Sequence, residues 1–96
     1  MGIFKRSGTF RDREKFVAAL RKKIDKLKDG TLRGFTEKWE EGAVTTAALI
    51  GFGAKVTFTV HTCDWRCDAE LPSWIPIPQT TVEQKFDQEF EELKGL

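Results

Sequence analysis

His61, Cys63 and Cys67 spell H-x-C-x₃-C, three soft donors close enough in the chain to be weighed as a zinc site. A structural zinc takes four donors in a tetrahedron, and no fourth stands nearby in the sequence. A chain that turns at Cys63-Asp64 also separates the three. Strand alternation sends Cys67 inward with Trp65 and Ala69 and leaves His61 on the opposite face with Thr57 and Thr59. Two other chemistries use the same residues: a Cys63–Cys67 disulfide across the hairpin, or a thiol deprotonated by His61, the only histidine. Neither cysteine stands at a helix start or in a basic cluster, where a thiolate is favoured, and no oxyanion-hole motif accompanies them. The expectation is a buried free Cys67, with no metal, no cofactor and no catalytic residue.

Glu37 breaks a pattern, because alternation puts it on the same face as Phe35 and Trp39, and a buried carboxylate is costly or functional. A bulge, or an edge position that reaches water, would relieve it. Lys15, Lys22 and Lys26 form a basic stripe along a helical segment, with Arg21 and Lys28 on its other flank. Such a stripe suits phosphate, so a nucleic-acid or anionic-surface binder is the alternative function. No nucleic-acid module or aromatic stacking platform accompanies it, which favours a solvated face. Gly51-Phe52-Gly53 is a turn, since no helix follows it as a phosphate loop requires.

The net charge of +1 conceals a division. Residues 1–33 carry eleven Lys or Arg against four acids, a balance of +7, and residues 34–96 carry five against eleven, a balance of −6. Complementarity between the halves, within one fold or across a homo-oligomer, explains this without a basic partner surface. Ninety-six residues make one domain, 1–96, and the 40% apolar and 32% charged fractions are those of a globular chain. No run reaches the roughly 18 apolar residues of a membrane span. The first residues lack an apolar signal core, and two cysteines do not make a secreted disulfide scaffold, so the expected address is the cytoplasm.

Around these residues the periodicity sets out the elements. A short strand over 3–10 precedes a helix, with Thr9 and Asp12 as its capping box and Gly30 as its left-handed stop. Phe16, Leu20, Ile24 and Leu27 form its apolar stripe. Four strands follow, over Leu32–Trp39, Val44–Ile50, Val56–Val60 and Trp65–Leu71, and Pro72 ends the last because it has no N–H to donate. After a proline-stiffened connection, Thr80 and Glu83 make a second capping box, Val82, Phe86, Phe90 and Leu93 a second stripe, and Gly95 a stop. Matching stripes predict an α+β fold in two layers, with both helices on one face of an antiparallel sheet in the order β-α-β-β-β-β-α.

That order and several residues resemble the polyhydroxyalkanoic acid granule-region family, a group of small bacterial proteins. The matching features are Trp39 followed by a Glu-Gly turn, Gly53 opening an alternating strand, Leu71-Pro72 closing a hairpin arm, the apolar stretch from Trp74 to Ile77, and the final amphipathic helix. The resemblance is diffuse and covers most of the chain. It implies a setting in polyhydroxyalkanoate storage and no defined reaction.

The function expected is that of a small non-catalytic binding or accessory protein, connected with a granule surface or a protein partner. Trp74, Ile75 and Ile77 are the expected partner-binding residues. They concentrate apolar surface in a stretch that Pro72, Pro76 and Pro78 keep out of a sheet interior.

Overall fold

The computed structural model describes residues 2–30, 33–72 and 78–93. The elements run β1 (Gly2–Thr9), α1 (Arg13–Lys28), β2 (Thr36–Glu40), β3 (Thr45–Gly51), β4 (Ala54–Val60), β5 (Asp64–Leu71) and α2 (Gln79–Glu89), with a short 3₁₀ turn at Glu91–Leu93. The expected order β-α-β-β-β-β-α is the one found. All five strands form one antiparallel sheet in the order β1-β5-β4-β3-β2, so the first strand pairs with the last and β1 and β2 are the two edges.

Alternation divides the sheet into two faces. Phe4, Ala47, Leu49, Phe58, Val60, Cys67, Ala69 and Leu71 are buried on the inner face, against α1, α2 and the 3₁₀ turn. Lys5, Lys38, Lys55, Arg66 and Glu70 are exposed on the other. The predicted stripe of α1 is the centre of the core, with Phe16, Leu20, Ile24 and Leu27 all buried. Burial of four such side chains, at about 1.5–3 kcal/mol each, is what holds a 16-residue helix on the sheet.

The helix ends differ from expectation. Thr9 closes β1, and the cap of α1 is Asp12, whose Oδ1 accepts from the Lys15 N–H at 3.2 Å. The helix ends at Asp29 in a right-handed conformation (φ −79°, ψ −8°), and Gly30 simply donates its N–H to the Leu27 carbonyl. The positive φ that a glycine stop would supply falls instead at Gly34 (90°) and Gly53 (80°). Thr80 lies inside the first turn of α2, whose cap is Pro78 without a side-chain hydrogen bond, and Glu83 is engaged by Arg6. The second stripe also shortens, because α2 stops at Glu89 and Leu93 reaches the core from the 3₁₀ turn. Leu32 and Gly95 lie outside the described residues.

The division of charge is resolved within the fold. Lys5 pairs with Asp68, Arg6 with Glu83 and Asp87, Arg21 with Glu41, Lys23 with Glu89 and Glu92, and Lys28 with Glu37. Each of these pairs joins a cation from the basic first third to an acid from the remainder. They run from β1 and α1 to β2, β5, α2 and the chain after it, so opposite charge reinforces the topology set by apolar burial.

Candidate functional site

Glu37 faces inward with Trp39, as alternation predicted, and sits on edge strand β2 half-buried and fully partnered. Its Oε1 accepts from Lys28 Nζ at 3.3 Å, and its Oε2 accepts from the Trp39 indole N–H. Arg21 lies 4.3 Å above the Trp39 ring while it pairs with Glu41. These contacts strap an edge strand to α1, which gives Glu37 a structural role.

The two thiols differ in exposure. Cys67 is buried and unpaired, and burial pushes its thiol up to about 12, with the Asp68 charge adding to the rise. Cys63 is exposed in the β4–β5 connection, also unpaired. The backbone of His61 is engaged, its N–H donating to the Asp64 carbonyl at 2.8 Å and its carbonyl accepting from Arg13 Nε at 3.2 Å. No group of three His, Cys, Asp or Glu among the described residues is placed to hold a metal ion.

Lys15, Lys22 and Lys26 are exposed on α1 as expected. Their neighbour Lys23, which the stripe argument passed over, is the buried cation: 7% of its side chain is accessible, and its Nζ lies 3.2 Å from Glu89 and 3.0 Å from Glu92. The fields of Lys22 and Lys26 also reach Glu92, so the basic stripe borders acidic groups at the end of the chain. Trp74, Ile75 and Ile77 lie outside the described residues.

The feature with the makings of a site is an apolar cavity of about 360 Å³ at the other end of the inner face. The sheet supplies Phe4, Leu49, Val56, Phe58 and Leu71, α2 supplies Val82 and Phe86, and Phe90 follows at the end of the helix. It exists because two layers do not close on each other. Ala54 and Ala69 occupy inward positions of β4 and β5 where larger side chains would fill the gap, and no residue of α2 is buried. Phe86 was expected in the core, yet it is half-buried, its ring edge-on to Phe4 at 5.5 Å and stacked on Phe90 at 4.5 Å. It is a wall of the cavity, packed against both parts of the core.

One end of the cavity is bounded by Phe35 and Phe52. Phe52 occupies the β3–β4 hairpin loop with φ 52°, followed by Gly53 at 80°, the pair of positive values that a type I′ turn requires. Asparagine is the usual residue there, and a bulky side chain in this conformation costs about 1–2 kcal/mol. Phe52 is nevertheless 65% exposed, so little burial offsets the strain. Its ring centroid lies 5.7 Å from that of Phe35. Phe35 in turn crosses Gly51 so closely that a β-carbon there would come within 2.9 Å of its ring.

Among the described residues, the polar members of the lining are Thr81, Lys85 and Glu89, one per turn along α2. Glu89 is turned to Lys23. Lys85 is exposed and has no hydrogen-bond or ion-pair partner among the described residues. No protein-family model matches the chain, and no curated protein matches it. The chemistry of the cavity therefore carries the functional argument by itself.

The periodicity of apolar positions does not reveal this cavity, because it carries no measure of side-chain volume. Ala54 and Ala69 were the available signal, small residues on strands whose other inward positions are large.

Proposed function

We propose that this chain is a small non-catalytic binding protein whose site is the apolar cavity between α2 and the sheet. The observation that carries the reading is the coincidence of an open apolar cavity with a strained, exposed aromatic at its edge. Cores of this size normally close, and positions that break local conformational preference without a packing gain cluster at functional sites. A cavity of about 360 Å³ is also in the range of small-molecule sites. The burial of Cys67 argues against its use in nucleophilic catalysis, since a thiol held at about 12 is not a nucleophile at neutral pH. The resemblance to the polyhydroxyalkanoic acid granule-region family suggests the setting. There, an aliphatic material would present the apolar groups that such a cavity accepts, from a granule surface or a protein partner that handles it.

The test is a fluorescence titration with N-phenyl-1-naphthylamine, a neutral apolar probe whose emission rises on leaving water. The parent protein should bind it with one-to-one stoichiometry. Val82→Trp and Ala54→Phe, which place bulk in the cavity, should abolish the signal while the circular dichroism spectrum is retained. Absence of binding to the parent, or binding untouched by both substitutions, would remove the reading.

A further inference from the structure

Resting on the reading of the cavity as a ligand site, we propose that its ligand is an aliphatic monocarboxylate, with the alkyl chain in the cavity and the carboxylate against the Lys85 ammonium at the rim. The walls made by Leu49, Val56, Leu71 and Val82 offer a chain nothing but carbon. A second charge inside would be desolvated without a partner, which excludes dicarboxylates and other doubly charged ligands. A cavity of about 360 Å³ is of the size that takes one alkyl chain.

The rim decides the head group. Thr81, Lys85 and Glu89 stand at i, i+4 and i+8 on α2, so they form one ridge beside the cavity. Of the two charged groups, Glu89 accepts from Lys23 Nζ at 3.2 Å and is already compensated. Lys28, in the last turn of α1, is likewise taken by Glu37. Lys85 alone brings a charge to the lining without an ionic partner among the described residues. A lysine here lays its methylenes along the apolar wall and keeps its ammonium in water. A carboxylate emerging from the cavity meets that ammonium without either being desolvated, and the Thr81 hydroxyl, one turn away, is a second donor. An alkylamine would be repelled by Lys85, and an alcohol would leave the charge unused.

The experiment is displacement of N-phenyl-1-naphthylamine by decanoate and by 1-decanol, in the parent, Lys85→Gln and Lys85→Glu, with Lys55→Gln on the outer face as control. The expected result is decanoate binding weakened about 3- to 5-fold by Lys85→Gln and further by Lys85→Glu, the range of a solvent-exposed ion pair. Decanol should be unaffected, Lys55→Gln should be silent, and the advantage of decanoate over decanol should shrink as salt rises. Equal binding of decanoate and decanol by the parent, or decanoate binding unchanged in Lys85→Gln, would overturn the carboxylate assignment and leave the apolar site standing if the probe still binds. Failure of probe and both alkyl ligands to bind would overturn the site itself. Lys85 is exposed, so its replacement leaves the fold intact.

Discussion

Lys23 Nζ lies 3.0 Å from Oε1 of Glu92, joining the middle of α1 to the 3₁₀ turn that follows α2. The lysine is almost wholly enclosed while the carboxylate is largely in solvent. The hydrogen bond from Lys23 holds the Glu92 carboxyl below its ordinary value of 4.5, with the charges of Lys23, Lys26 and Lys22 acting in the same direction. Its folded-state value is thus lower than its unfolded one. The contribution is fully present above the ordinary carboxylate range and is lost as pH falls through the lowered value.

Glu92→Gln should therefore lower Tm at pH 7, and the gap to the parent should close on acidification below about 4.5. Parallel thermal melts from pH 7 to pH 2 check this. A gap that is constant with pH would mean that Glu92 acts by packing and not by charge.

The two thiols should differ sharply in reactivity. Iodoacetamide at pH 8 should label Cys63 in the folded protein and both cysteines only after denaturation, because Cys67 is enclosed and its thiol is held at about 12. Mass spectrometry counts the labels. The fold should also persist in chelator and reductant, since both cysteines are free and no metal-holding group stands among the described residues.

Leu20 and Phe86 occupy equivalent places in the two stripes, yet they should respond differently to truncation. Leu20 is fully enclosed, and Leu20→Ala should cost about 2–5 kcal/mol in denaturant unfolding. Phe86 is half-buried along the cavity, so Phe86→Ala should cost less than the about 3–5 kcal/mol of an enclosed phenylalanine and should weaken probe binding as well. Equal losses of stability would show α2 to be as tightly packed as α1.

Much of this was legible from spacing alone. The stripe of Phe16, Leu20, Ile24 and Leu27, the inward set of Trp65, Cys67, Ala69 and Leu71, and the inward turn of Glu37 follow from periods of 3.6 and 2 that survive in any context. Helix ends were less legible because several residues qualify locally and tertiary contacts choose among them. Thr9 was needed by the ladder with Asp64, and Glu83 was needed by Arg6. The candidate site was least legible. A cavity is a deficit of volume between elements far apart in sequence, here Ala54 and Ala69 beneath Val82 and Phe86, and periodicity does not measure volume. The buried state of Lys23 was hidden for a related reason, since its partners Glu89 and Glu92 come from the other end of the chain.

Phe52 offers a separation of stability from function. Phe52→Asn puts the preferred residue into the type I′ turn and relieves strain of about 1 kcal/mol, at the loss of one exposed ring contact with Phe35. Tm should hold or rise while affinity for the apolar probe falls. A clear drop in Tm with binding unchanged would make Phe52 a packing residue.

Intermolecular nuclear Overhauser effects would place an apolar ligand between α2 and the sheet atom by atom. With methyl-labelled protein and decanoate, contacts are expected from one alkyl chain to the methyl groups of Leu49, Val56, Leu71 and Val82, and none to Ile3 or Ile50, which are exposed outside the cavity lining. Contacts confined to Ile3 and Ile50, or no contacts at saturating ligand, would contradict that placement.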